Sequence, residues 1–287
     1  MTTSDSPKIT RRATRTGIPP LGQYLAEAWR YRTFALYWSR ADIKARNFET
    51  ALGRLWHFIN PLLFGIIYFI FIGIISGGGL NNTTRLAFIV GNLYVWTYFS
   101  TIITTGMGSV QSGGGGVAAQ SAIPRVVLPL ASTLTAANLF LKSLIAYVPI
   151  HILANRGLHW EMLFLPVLVL VTGIFGLGLA LLLAVLNVYL RDISRLVPHF
   201  LRLWLYLSPA IWAYTRLIGE GAIETLAQLN PMYWGMVSWT IMFGGSLSPD
   251  GPNMLQSLLV FSAWAVAGLL IGFFTFVSRE DEFAIRT

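Results

Sequence analysis

Few residues in this chain have the types and spacing that bond-making chemistry requires. Its four histidines, His57, His151, His159 and His199, stand far apart and lack the short intervals of a metal-ligand set. Cysteine is absent, which excludes thiolate ligands, thiol catalysis and disulfides. There is no Gly-x-Ser-x-Gly elbow, no His-Glu-x-x-His helix and no carboxylate pair inside an apolar run. Four glycines at 113–116 suggest a phosphate cradle, but no Lys-Ser or Lys-Thr follows, so they read as a membrane-edge turn. The chemistry left is that of contact. Lys142 sits mid-way along an apolar run, where a charge is costly and usually faces protein or water. No Asp or Glu lies in any of the long apolar segments, so Lys142 must meet backbone carbonyls, water or an anionic substrate. Arg202 is closer to a segment end and can snorkel to the interface. Aromatic side chains gather at Tyr94, Trp96, Tyr98 and Phe99, and again at Trp204, Tyr206, Trp212 and Tyr214. Such rings pack on apolar ring faces while their polar atoms bond hydroxyls. Those near segment ends also suit a membrane-interface belt.

The elements that hold these residues follow from charge-free stretches. Of 287 residues, 55% are hydrophobic and only 11% charged, against roughly 25% in ordinary soluble domains. No charged residue lies between Arg54 and Arg85, between Arg85 and Arg125, or between Glu161 and Arg191. About 20 apolar residues cross the hydrocarbon core as a helix, since open loops there leave backbone groups unpaired. The expected fold is an all-α integral membrane protein with six spans, at 56–75, 86–110, 126–150, 162–190, 197–214 and 254–277. The first apolar run is of span length and follows a long basic stretch, so the N-terminus is expected to stay in the cytoplasm. With that orientation, sixteen Lys and Arg residues fall on the cytoplasmic side and three outside, as the positive-inside rule requires. The net charge of +8 therefore reads as topogenic rather than as a nucleic-acid surface.

Residues 1–20 read as a disordered basic tail. From 21 to 55 an amphipathic interfacial helix is expected, with Tyr24, Ala28, Tyr31, Ala35 and Trp38 on one face. Gln23, Glu27 and Arg30 lie on another. A permease domain at 56–277 and a short cytoplasmic tail at 278–287 complete the chain. The stretch 217–249 is awkward, because its apolar core at 231–243 is too short to span. It is expected to be re-entrant or interfacial.

The segment joining the charged helix to the first span carries Asp42, Ile43, Lys44, Arg46, Thr50, Leu52, Gly53, Trp56, Pro61 and Leu62. This run resembles the opening of ABC type-2 exporter permeases of the polysaccharide, O-antigen and teichoic acid branch. Pro124, Arg125, Leu128, Pro129, Leu130, Ala131 and Ser132 match the tail of that family's coupling loop. Upstream of them, glycines stand where relatives often carry Asn and basic residues. Asn187, Arg191, Asp192 and Ile193 match its second cytoplasmic loop, followed by Ser208-Pro209 and by Asn230-Pro231.

The resemblance implies two copies of this subunit forming a pore, driven by a separate ATPase that binds ATP and Mg. It implies a re-entrant helical hairpin on the external side between the fifth and sixth spans. Pro124, Arg125, Leu128, Arg191 and Asp192 become ATPase-coupling residues. Asp42, Lys44, Arg46, Trp56 and Pro61 belong to the interface helix and gate. Tyr94, Trp96, Tyr98, Phe99, Lys142, Trp204 and Tyr206 become candidates for a sugar-conducting channel. No catalytic residue, metal or cofactor is expected on this chain. A small-drug or lipid permease, a secondary transporter or channel, and a membrane glycosyl- or acyltransferase are the competing classes. The last needs acidic or histidine residues converging at one membrane face, and the sequence shows no such group.

Overall fold

The computed structural model describes residues 20–46, 53–75, 82–114, 123–210, 226–245 and 251–286. Every element among them is helical: α1 (Leu21–Arg30), α2 (Arg32–Arg46), α3 (Trp56–Ile75), α4 (Thr83–Gly114), α5 (Val127–Leu153), α6 (Leu165–Tyr189), α7 (Ile193–Leu207), α8 (Pro231–Met242) and α9 (Met254–Arg286). Helix is the form in which an apolar segment pairs all its own backbone groups. Within α4, α5, α6 and α9 lie stretches long and apolar enough to cross a membrane, and α3 holds a shorter one at Ile59–Ile74. The chain is a multi-pass helical membrane protein.

Several boundaries differ from the sequence expectation. The fifth segment starts earlier than expected, at Ile193, and its helix ends at Leu207 rather than running to 214. Proline at 209 disfavours helical geometry in the residue before it, and Ser208 is extended, with ψ of 152°. The fifteen described residues of α7 are too few to span. Residues 278–286, expected as a short cytoplasmic tail, continue the helix α9 to Arg286. The helix expected at the membrane interface divides at Tyr31 into α1 and α2, and the expected stripe faces inward, with Tyr24 and Ala35 buried and Ala28, Tyr31 and Trp38 packed beside them. Expectations for the basic tail at 1–19, for Thr50 and Leu52, for the loop at 115–122, and for Trp212 and Tyr214 lie outside the described residues. So do the Arg46 side chain and one limb of the expected hairpin.

The core is centred on α4, whose residues from Ala87 to Met107 are mostly buried. Helix α8 is buried along nearly its whole length, from Met232 to Met242. Helix α6 packs on α9 through glycines: a Cβ on Gly178 would meet the Gly268 backbone, and one on Gly272 would fall on the Gly178 carbonyl. Small residues let membrane helices approach this closely where no hydrophobic force separates protein from lipid. By contrast, Phe64, Ile67, Phe71 and Ile74 of α3 and Leu141, Ile145 and Ile152 of α5 are exposed apolar residues, as a surface against lipid or another subunit requires.

Candidate functional site

Three helices enclose a groove of about 200 Å³. Trp56, Asn60 and Pro61 come from the start of α3; Tyr94, Thr97, Tyr98 and Thr101 from α4; Ala136, Leu139, Phe140 and Ser143 from α5. The positions on α4 are three or four residues apart, so one helical face presents two phenols and two threonine hydroxyls together. Tyr98 stacks on Phe140 with ring centroids 4.8 Å apart, and its hydroxyl donates to the Val169 carbonyl at 3.2 Å. The wall is thus aromatic with interspersed hydroxyls and one amide, a lining suited to a polar solute with apolar faces.

The aromatic residues expected to act together separate into two sets. Tyr94 and Tyr98 reach the groove, joined there by Trp56 and Pro61. Trp96, Phe99 and Trp204 do not. Phe99 stacks on Phe175 at 5.4 Å and meets Trp204 edge-on at 5.3 Å, while Trp96 meets Trp204 at 6.1 Å. These rings fill the interior between α4, α6 and α7. Tyr206 stands on the outer side of α7, where its hydroxyl lies 3.1 Å from that of Tyr68 on α3. Lys142 is exposed on α5, one helical turn from Leu139 of the groove wall. Thr97, Thr101, Leu139, Phe140 and Ser143 were not singled out from sequence. The four-residue spacing of Tyr94, Tyr98 and Thr97, Thr101 was the available signal.

A second constellation gathers the charged ends of several helices. Pro124 and Leu128 are buried at the entry to α5, and Arg125 is half-buried between them. The Arg125 backbone N–H donates to Glu280 Oε1 at 2.5 Å, and the Tyr24 hydroxyl donates to Glu280 Oε2 at 2.6 Å. The Arg125 guanidinium lies 5.9 Å from the Phe283 ring centroid. Burial pushes the Glu280 carboxyl above its usual range, against the pull of its two donors. Burial also raises the Tyr24 phenol, with the Glu280 charge adding to it, and lowers Arg125.

Arg191 and Asp192 form the exposed turn between α6 and α7. The Ser194 hydroxyl donates to the Arg191 carbonyl at 2.8 Å. Behind them the Gln111 side chain donates to the Asn187 carbonyl at 2.8 Å, tying α4 to the same end of α6. The buried Asn187 amide itself finds no partner among the described residues. Asp42 and Lys44 lie on α2, with Asp42 half-buried and Lys44 exposed. Asn230 proves to be a junction. It caps α8 by accepting from the Met232 N–H at 3.0 Å, accepts from Trp204 Nε1 at 2.7 Å, and donates to Ser208 Oγ at 2.9 Å.

The sequence that builds this bundle matches known proteins. Residues 34–244 match the ABC-2 type transporter family. The chain belongs to that family. It is similar to the O-antigen export system permease protein RfbA of Myxococcus xanthus, 28% identical over 260 residues that cover 90% of this chain and 96% of that protein. Two proteins of the same description from Klebsiella pneumoniae are each 26% identical. One match spans 205 residues, covering 70% of this chain and 76% of that protein. The other spans 217 residues, covering 75% and 82%. As an ABC-2 permease, the chain is the transmembrane subunit of a transporter. The residues it matches include α2, the groove, both charged loops and α8.

Proposed function

We propose that this chain is the pore subunit of an ATP-driven exporter that moves a lipid-linked polysaccharide from the cytoplasm to the outer face of the membrane. The observation that carries this reading is the near end-to-end match to an O-antigen export permease. The groove supports it, because tyrosine and tryptophan faces beside threonine and serine hydroxyls suit sugar rings better than a purely apolar drug. Tyr94, Tyr98 and Trp56 are the residues placed to touch cargo, with Lys142 beside them for an anionic group.

In this reading six spans cross the cytoplasmic membrane, both termini are cytoplasmic, and 217–249 forms the re-entrant hairpin. Two copies of the chain line the conduit. ATP and Mg bind a separate ATPase, whose closure pushes on the loops at 117–128 and 188–195. Arg125, Arg191 and Asp192 receive that push, and α1 and α2 relay it to the first span through Trp56 and Pro61.

Affinity purification of the tagged protein in mild detergent, followed by mass spectrometry, tests the class. A stoichiometric P-loop ATPase is expected, together with ATP-dependent polysaccharide export in vesicles. If no ATPase co-purifies and the chain alone carries solute down an ion gradient, the exporter reading is wrong.

A further inference from the structure

We infer that Glu280 is a positioning residue that clasps both the interfacial helix α1 and the entry of the ATPase-facing loop to the last helix, so that the three move as one unit. Only the identity of the pushing partner rests on the exporter reading; the clasp itself rests on geometry.

Both carboxylate oxygens of Glu280 are engaged, and by different parts of the chain. Tyr24 of α1 holds Oε2, and the Arg125 N–H ahead of α5 holds Oε1. The bond at Arg125 comes from the backbone, so it fixes the path of the loop rather than one side chain. Around it, Phe273, Phe276, Glu280 and Phe283 follow the three- and four-residue spacing of one helical face. The Tyr24 ring meets Phe273 edge-on at 6.0 Å, and the Arg125 guanidinium stands over Phe283. Glu280 is thus the polar centre of an apolar patch that receives two separate segments.

The same end of α9 is held from a second direction. Glu282, two residues on and therefore on another face, accepts from the Tyr189 hydroxyl at the end of α6. Tyr189 directly precedes the turn bearing Arg191 and Asp192. Both charged loops therefore terminate on the final turns of α9. That helix is in turn seated against α6 at backbone distance through Gly178, Gly268 and Gly272, where an added Cβ would not fit. A displacement at Arg125 is delivered to the α6–α9 pair, in addition to any route through α3.

The alternative is that Glu280 merely satisfies two buried donors and affects stability alone. Tyr24→Phe, which removes one hydrogen bond and little volume, is compared with Glu280→Ala in the whole transporter complex. Hydrogen–deuterium exchange reads the clasp directly, with no need for cargo. Faster exchange is expected in both 21–30 and 123–130 for Glu280→Ala, and in 21–30 for Tyr24→Phe. Export per ATP hydrolysed, measured on complexes of equal subunit stoichiometry, is expected to fall roughly fivefold in Glu280→Ala, near the low end of ordinary coupling between sites. Adding Tyr24→Phe to Glu280→Ala should change it no further.

Unchanged exchange in both segments would overturn the inference. So would looser segments with a wild-type export ratio, since the residue would then be structural only. Should Glu280→Ala fail to assemble, Tyr24→Phe alone decides on the same two readouts. If the wild-type complex hydrolyses ATP but moves no polysaccharide, the cargo reading fails. Exchange, and stimulation of the ATPase by the permease, then still judge the clasp.

Discussion

The carbonyl oxygen of Gly178 occupies the place where a side chain on Gly272 would begin. Helices α6 and α9 are thereby pressed together at backbone distance, and the contact is the seat on which the charged end of α9 rests. Replacing Gly272 with leucine must force the helices apart. Overpacking of this kind costs about 1–3 kcal/mol, and more where backbone rather than side chain is displaced. Gly272→Leu is therefore expected to lower the unfolding midpoint in detergent by several degrees and to reduce the yield of assembled protein. A wild-type midpoint would show that the pair can separate freely.

Asn230 joins the end of α7 to the start of α8 by three side-chain bonds to different residues, besides one to the Leu207 carbonyl. Asn230→Ala removes a helix cap, worth about 1 kcal/mol, and leaves Trp204 Nε1 unpaired at a further cost of about 1–3 kcal/mol. Asn230→Asp keeps the acceptor for Met232 and Trp204 but loses both amide donations, so it should fall between. Denaturation midpoints of the three proteins should rank wild type, then aspartate, then alanine.

How much of this was legible in the sequence differs by element. Long charge-free runs announced α3, α4, α6 and the apolar part of α9, and an apolar run broken only by Lys142 announced α5, because each must satisfy its own backbone in lipid. The stripe from Tyr24 to Trp38 announced which face of α1 and α2 would be buried. Helix ends were harder: Ser208-Pro209 stops α7 early, whereas nothing apolar or polar near 278 stops α9. Aromatic clustering did not say which rings share a face. Tyr94 and Tyr98 line the groove, but Trp96 and Phe99, on the same helix, fall on its other side and are fully packed. Only the neighbours of a residue decide that, and α6 and α7 supply them. Glu280 was only one residue of the expected short tail at 278–287, because its partners lie 155 and 256 residues away.

The groove makes a claim about cargo. Thr97 lines it and is only partly buried, so a larger side chain can enter the groove without displacing the core. Thr97→Phe is expected to reduce export several-fold while leaving ATPase binding and the unfolding midpoint near wild type. Equal export by Thr97→Phe and wild type would remove the groove from the translocation path.

Glu280 also gives a dependence on pH. Its carboxyl is raised above the ordinary value of 4.5, chiefly by burial, so the folded protein binds this proton more readily than the unfolded chain. The stabilisation that follows is complete below 4.5 and is lost as pH rises through the folded value. Relative to Glu280→Gln, which carries no such proton, wild type should lose stability across that window. Parallel midpoint-against-pH curves for the two proteins would mean that the carboxyl is not shifted.

Removal of residues 21–38 tests the relay through the surface helices. These residues contribute Tyr24 and Ala35 to a buried cluster with Val126, Val127, Phe276 and Phe283, so their loss uncovers apolar surface at the charged end of the bundle. Burial of a large apolar side chain is worth about 1.5–3 kcal/mol, and the deletion should therefore lower stability measurably. The apolar helices themselves begin at Trp56 and keep their internal hydrogen bonds, so insertion should survive. The expected product is a membrane-inserted complex that binds its ATPase and hydrolyses ATP but exports little polymer. Wild-type export by the shortened chain would leave the push to travel through Arg125, Glu280 and α9 alone.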